Sequence, residues 1–126
     1  MEISFKTSDD KDRFIVDCKQ KCGGDTNFIK YKGCYMDENT EEEDRDLPKY
    51  IGLNLDIDTC FLEAKKANLK YLGLQNGNEC WGGNTYGAKG KAPEAECSLE
   101  CYTTSGFKCG NAWRNSIYEV GNYKDT

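Results

Sequence analysis

The clearest periodic pattern in the chain lies between residues 57 and 67, where apolar and polar positions alternate at helical spacing. Asp56 precedes this segment and belongs to the residue types that cap helix N-termini. The pattern predicts a helix with one apolar face, which would carry a cysteine towards the core. The residues on that face are Ile57, Cys60, Phe61, Ala64 and Ala67.

Shorter apolar stretches predict strands on both sides of this helix. Before it, residues 1–29 alternate at Ile3 and Phe5 and then contain the apolar run Phe14–Val16, which indicates two short extended segments. The main body of the chain is predicted to form three strands, which are Tyr31–Tyr35, Tyr71–Leu74 and Asn115–Val120.

Two segments rich in glycine and asparagine are predicted to form turns around a Cys-Trp pair. They are Gln75–Asn78 and Gly82–Asn84, and such residues adopt positive φ angles and expose side-chain amides. A second, shorter helical turn is predicted over residues 93–101, with Cys97 and Cys101 on one face.

Composition indicates that aliphatic burial alone does not stabilise this fold. Leu, Ile, Val and Phe together number 21 of 126 residues, which is below the usual content of a globular core. The eight cysteines are the alternative source of stability, since each disulfide contributes roughly 2–4 kcal/mol and small secreted domains depend on them. The cysteine content therefore predicts an oxidising, extracellular location.

The absence of histidine excludes most catalytic chemistry. It removes Ser-His and Cys-His triads, and a zinc site would need four thiolates. A glycosidase with a carboxylate pair stays open, but no motif places an acid beside a nucleophile. The sequence therefore predicts no enzyme, no catalytic residues, no metal and no cofactor.

The charge distribution narrows the choice of partners. Seven acids and Arg45 lie between Asp37 and Asp46, which leaves the rest of the chain at +1 from a total of −5. Such a run is usually a solvated surface, with a cation site as the alternative. The chain has no basic stripe with interleaved aromatic residues and no apolar run of membrane-spanning length. We expect neither nucleic-acid binding nor a membrane span.

Several short motifs, in order and at suitable spacing, resemble a WSC domain over residues 31 to 120. The motifs are Gly33-Cys34-Tyr35-x-Asp37, Arg45-x-Leu47-Pro48, Asp56 to Cys60, Leu69 to Trp81, Cys97-x3-Cys101, Cys109-Gly110 and Asn115 to Tyr118. The resemblance implies a small α+β fold, disulfide-rich and loop-rich, of kringle-like size, with one main helix packed on a short antiparallel sheet. It also implies a secreted or cell-surface, non-catalytic module that recognises a glycan, either a polysaccharide or a glycoprotein.

The chain departs from this family at two positions that usually hold cysteine, Ala64 and Gly82. Their joint absence implies that one family bridge is missing as a whole. Cys18 and Cys22 lie outside the resemblance and would pair either with each other or with a preceding segment. All eight cysteines are therefore expected to form disulfides. Three of these bridges would lie within the module and would be formed by Cys34, Cys60, Cys80, Cys97, Cys101 and Cys109.

The predicted organisation is an N-terminal extension or arm over residues 1–29, the WSC-like domain over residues 30–120 and a tail over residues 121–126. An alternative function follows from the arm. Residues 1–16 could add a strand to a neighbouring copy, which would make the module a structural subunit or spacer of an extracellular assembly or filament.

The residues expected to bind a glycan combine aromatic faces for stacking with polar groups for sugar hydroxyls. Trp81 has a competing interpretation as a core residue, as have Tyr35, Tyr71 and Tyr118, and Tyr86 is expected to be the most exposed of this set. The site is predicted on the turns around residues 78–86 and 112–114. The candidates are Trp81, Tyr86, Trp113, Gln75, Asn78, Glu79, Asn84 and Arg114.

Overall fold

The computed structural model describes residues 13–16, 26–37, 45–104 and 106–123. Within these residues lie six strands, one α-helix and a short 3-10 turn at Glu94–Glu96. In chain order the elements are β1 (Arg13–Val16), β2 (Thr26–Met36), β3 (Lys49–Leu53), α1 (Ile57–Lys66), β4 (Tyr71–Gln75), β5 (Glu79–Gly83) and β6 (Arg114–Tyr123).

The six strands form one antiparallel sheet in the order β1-β2-β6-β4-β5-β3. The small disulfide-rich fold with one helix is as expected, but the prediction of a short sheet is wrong. The sheet is the dominant element, and the sequence pattern missed β3 altogether. The reason is that β3 is a five-residue edge strand with largely exposed side chains, so it lacks an apolar alternation.

The predicted helix is confirmed, with its inner face buried against the sheet. Cys60, Phe61 and Ala64 are each at most 2% exposed, and Ile57 is also buried. Asp56 occupies the N-cap position without a side-chain capping bond. Ala67 was wrongly placed on the inner face, because the helix ends at Lys66 and Ala67 is its exposed C-cap.

The sheet has two faces of different composition. The face under α1, here called the helix face, buries mainly aliphatic side chains and cysteines, including Leu72, Leu74 and Cys80. The opposite face, here called the aromatic face, centres on Leu47, Trp81 and Ile117. Because side chains alternate along a strand, the neighbours Cys80 and Trp81 lie on opposite faces.

One of the two predicted turns is confirmed and the other is wrong. Asn76 and Gly77 have φ angles of 58° and 83° and connect β4 to β5 in a tight hairpin. Gly82 and Gly83, predicted as a turn, lie within β5. A Cβ at Gly82 would lie 2.7 Å from the side chain of Leu69, so this glycine serves close packing.

The described residues contain two disulfides, Cys34–Cys97 and Cys101–Cys109. The predicted helical turn over residues 93–101 reduces to the 3-10 turn. Three bridges were predicted within the module, and the third does not form in this structure: Cys60 and Cys80 are buried thiols in hydrogen-bonding contact. Cys18 and Cys22 lie outside the described residues.

The sheet extends beyond the predicted limits of the domain. Strand β2 crosses the boundary at residue 30, and β6 crosses the one at residue 120. Of the predicted arm, residues 13–16 pair with β2 of the same chain, Phe14 opposite Ile29. Residues 1–12, including Ile3 and Phe5, lie outside the described residues.

Candidate functional site

An open pocket of about 380 Å³ lies on the aromatic face, near the hairpin between β4 and β5. It combines three aromatic rings with one cation, one carboxylate and two side-chain amides. We call it the aromatic pocket; its lining residues are Arg45, Tyr50, Leu53, Gln75, Asn76, Glu79, Trp81, Ala112 and Trp113.

Trp81 forms the base of this pocket. Only 7% of the residue is exposed, and it packs with Leu47 and Ile117 beneath. Its indole Nε1 donates a hydrogen bond of 3.0 Å to Glu79 Oε1. The ring of Tyr50 stands edge-on to the indole, with centroids 5.0 Å apart, and Tyr50 itself is 45% exposed. Trp81 is therefore a core residue that also reaches the pocket, and Tyr50 supplies the accessible aromatic surface.

Arg45 lies between the two tryptophans, although the sequence did not suggest it as a site residue. Its guanidinium carbon is 3.8 Å from the centroid of Trp81 and 5.0 Å from that of Trp113. Its Nη2 forms an ion pair of 3.0 Å with Asp37 Oδ2, at an angle that does not make a hydrogen bond. Buried Nε and Nη2 thus have no hydrogen-bond acceptor in the described part of the chain.

Trp113 is fixed at the pocket by its backbone. Its φ angle of 56° lies in the left-handed region, which is unfavourable for a bulky residue and needs support from neighbours. The support comes through its carbonyl oxygen, which accepts hydrogen bonds from Asp37 N at 3.0 Å and Arg114 Nη1 at 2.8 Å. The half-buried ring is thereby aimed at Arg45.

The polar groups of the pocket belong to the ends of β4 and β5. Gln75 is 3% exposed, and its Oε1 has no hydrogen-bond partner among the described residues. Glu79 accepts from Trp81 through Oε1, and its Oε2 lies 3.4 Å from Asn76 Nδ2. An acceptor without a partner inside a pocket costs free energy unless water or a ligand satisfies it.

The acidic run was interpreted as a solvated surface, and its two ends do not fit that interpretation. Asp37 and Asp46 are both buried. Asp46 accepts hydrogen bonds from the backbone of Gly87 and Ala88, while burial raises its pKa above the ordinary value. These aspartates connect loops beside the pocket, and residues 38–44 lie outside the described residues.

Four of the eight predicted ligand-binding residues line the pocket: Trp81, Trp113, Gln75 and Glu79. Tyr86 does not, because its ring packs against those of Tyr35 and Tyr71, with centroids 5.0 and 4.7 Å apart. Burial raises its pKa.

The three remaining candidates also do not line the pocket. Asn84 Oδ1 accepts from Lys70 N, and Arg114 Nε donates to Glu96 at 2.7 Å. The carbonyl of Asn78 accepts from Asn54 N. Sequence reasoning also missed Tyr50 and Leu53, because both belong to the unpredicted strand β3; the other missed lining residues are Arg45, Asn76 and Ala112.

Two sequence comparisons relate this chain to known proteins. The chain is 29% identical over 123 residues to Xylosyltransferase oxt from Drosophila pseudoobscura pseudoobscura, an alignment that covers 90% of this chain and 13% of that relative. No helix in the described part of the chain has the length and apolar character needed to cross a membrane. The sequence model of the WSC domain matches residues 31–111, which is well over half of the chain. This chain therefore belongs to the WSC domain family.

Proposed function

We propose that this domain is a non-catalytic, extracellular module that binds glycans in the aromatic pocket. The observation that carries the proposal is the pocket itself. There the accessible ring of Tyr50 and the half-buried ring of Trp113 lie beside polar side chains, some of whose atoms have no hydrogen-bond partner among the described residues.

The chemistry of this lining suits a sugar ring. One face of a pyranose carries C–H groups that stack on an aromatic ring, while its hydroxyls both donate and accept hydrogen bonds. Tyr50 and Trp113 provide the stacking surfaces. Glu79 can accept from hydroxyls, and the side-chain amides of Asn76 and Gln75, which also line the pocket, can form further hydrogen bonds.

Binding is favoured over hydrolysis because the lining contains a single carboxylate, Glu79. Glycoside hydrolysis ordinarily requires two carboxyl groups on either side of the scissile bond. Asp37 also lies beside the pocket, but it is buried in the ion pair with Arg45. The match to a xylosyltransferase spans 13% of that protein, which fits an accessory module better than a catalytic domain.

The extracellular location is supported by the two disulfides and the family. Cys34–Cys97 joins residues 63 positions apart and so fixes the 3-10 turn segment to β2. Such bridges persist in oxidising compartments. For the alternative of a structural subunit, the described part of the arm pairs within its own chain, so no observation favours it.

The test is glycan binding by matched aromatic variants. Purified protein is screened on a glycan array, and the affinity for the best oligosaccharide is measured by calorimetry. Tyr50→Ala and Trp113→Ala should each weaken binding by about 1–3 kcal/mol, the range for aromatic stacking in other ligand sites.

Tyr102→Ala is the matched control, because Tyr102 is 65% exposed and does not line the pocket. It should bind like the unsubstituted protein. Equal losses in all three variants, or no binding to any glycan, would refute the proposal.

A further inference from the structure

We propose that the aromatic pocket prefers glycans that carry protonated amino groups and disfavours anionic glycans. This inference rests on the proposed glycan-binding function and names the class of ligand. It is carried by the charges around the pocket together with the hydrogen-bond acceptors that its lining leaves free.

The first step is that Arg45 is not available as an anion-binding cation. Its side chain is 9% exposed and that of Asp37 is 1% exposed, and the two form an ion pair of 3.0 Å. Asp37 is held there by the backbone N–H of Asp46, which donates to its other carboxylate oxygen at 3.0 Å. A uronate or sulfate approaching Arg45 would meet this carboxylate at close range, and breaking a buried ion pair is costly.

The second step is that Glu79 has no ion-pair partner in the described part of the chain. It accepts hydrogen bonds from neutral donors, the indole of Trp81 and the amide of Asn76, and takes part in no ion pair among the described residues. One positive charge and two negative charges, on Arg45, Asp37 and Glu79, therefore give the site a net charge of −1.

The third step is that the pocket presents hydrogen-bond acceptors. Gln75 Oε1 is a buried acceptor without a partner in the described part of the chain, and Glu79 is an acceptor by nature. An ammonium group has three donors and no acceptor, so it suits a lining that presents hydrogen-bond acceptors. The rings of Tyr50 and Trp113 also attract a cation, since the face of an aromatic ring is negative.

The experiment compares three hexasaccharides that differ in charge. A fully deacetylated chitosan hexamer carries amines, chitohexaose is its neutral N-acetylated counterpart, and a hexagalacturonate is anionic. Affinities are measured by calorimetry at a pH above the carboxyl pKa values and below that of the sugar amine. We expect the amine hexamer to bind about tenfold tighter than the neutral one, as cation–π contact and charge together predict. The hexagalacturonate should bind weakest.

Glu79→Gln tests the role of the carboxylate, because glutamine keeps an oxygen for the Trp81 indole. The ratio of amine to neutral affinity should fall towards one in this variant. Glu63→Gln is the matched control: it removes the same charge from an exposed position on α1, on the other face of the sheet, and should leave the ratio unchanged. A thermal melt confirms that each variant is folded.

Salt provides a second measure that needs no variant. Raising the ionic strength should lower the affinity ratio, because screening weakens the attraction of the amine. Tighter binding of the neutral or anionic hexamer, or a ratio unaffected by Glu79→Gln, would overturn this inference while leaving glycan binding in place. Failure of all glycans on the array would overturn both.

Discussion

The helix face and the aromatic face of the sheet are built from different materials. On the helix face, α1 covers aliphatic side chains and cysteines, and Phe61 and Leu72 are fully buried. On the aromatic face no helix covers the sheet in the described residues. There Trp81 and the buried ion pair of Arg45 with Asp37 border an open pocket. Some polar atoms of its lining residues have no hydrogen-bond partner among the described residues.

This contrast separates stability from recognition. Apolar burial is favourable by roughly 25 cal/mol per Å², so the core of the helix face contributes mainly to stability. Polar atoms without partners are unfavourable in the free protein and become favourable when a ligand satisfies them. Sites where polar atoms lack partners at a cost in stability are expected to be functional. The following variants test whether the two faces really divide these tasks.

The largest effect is expected on the helix face, from Ala64→Asp. Ala64 is fully buried, so an aspartate there would place an unpaired charge in the core and lower the free energy of unfolding by roughly 3–5 kcal/mol. Urea denaturation measures the change. Ala67→Asp on the exposed end of the same helix is the control and should cost about 0.5 kcal/mol. Similar denaturation midpoints for the two variants would show that the helix face is not an apolar core that excludes water.

The two disulfides should differ according to the loops they close. Replacing Cys34 and Cys97 together by Ser opens a loop of 63 residues, and loop-closure entropy predicts a loss of about 4 kcal/mol. The same change at Cys101 and Cys109 opens a loop of 8 residues and should cost about 2.5 kcal/mol. Denaturation of both double variants under non-reducing conditions checks the order, and a reversed order would argue against chain entropy as the cause.

Cys60 and Cys80 should close into a third bridge under oxidising conditions, because the two thiols are already in contact within the helix face. Closing it should stabilise the fold by about 3 kcal/mol. Burial raises the pKa of the Cys80 thiol, so the reduced pair should resist alkylation until the protein is denatured.

Mass spectrometry after alkylation in denaturant distinguishes the two states. Protein purified from an oxidising compartment should gain no mass at Cys60 or Cys80 when left unreduced. Labelling of both residues would show that the dithiol seen in the structure is the stable form.

The smallest change in stability should come from substitutions on the aromatic face. Tyr86 packs against two other tyrosines, so Tyr86→Ala should lower the free energy of unfolding by about 2 kcal/mol and leave glycan affinity nearly unchanged. Trp113→Ala should do the reverse, because its half-buried ring lines the pocket.

Calorimetry and denaturation on the same two proteins give the comparison. If Tyr86→Ala weakened binding as much as Trp113→Ala in a folded protein, the binding surface would extend to the predicted turn near residue 86 and the pocket would have been assigned too narrowly.

Much of the local structure followed from the sequence. The apolar spacing from Ile57 to Ala64 predicted a helix with the correct inner face, and Asn76-Gly77 predicted a tight turn. These features depend on interactions between residues close in the chain. Of the predicted site residues, Trp81 and Trp113 line the candidate pocket, whereas Tyr86 packs against Tyr71 instead, a contact that a turn-like neighbourhood does not reveal.

The sequence by itself determined the helix face, the disulfide-rich character and the family resemblance, since periodicity, cysteine count and motif spacing can be read along one chain. Only the tertiary structure decided the aromatic face. Strand β3 exists because it pairs with β5, and Arg45 reaches Trp81 because a buried Asp37 holds it there. These contacts join residues distant in sequence, and their free energies depend on burial that no local pattern encodes.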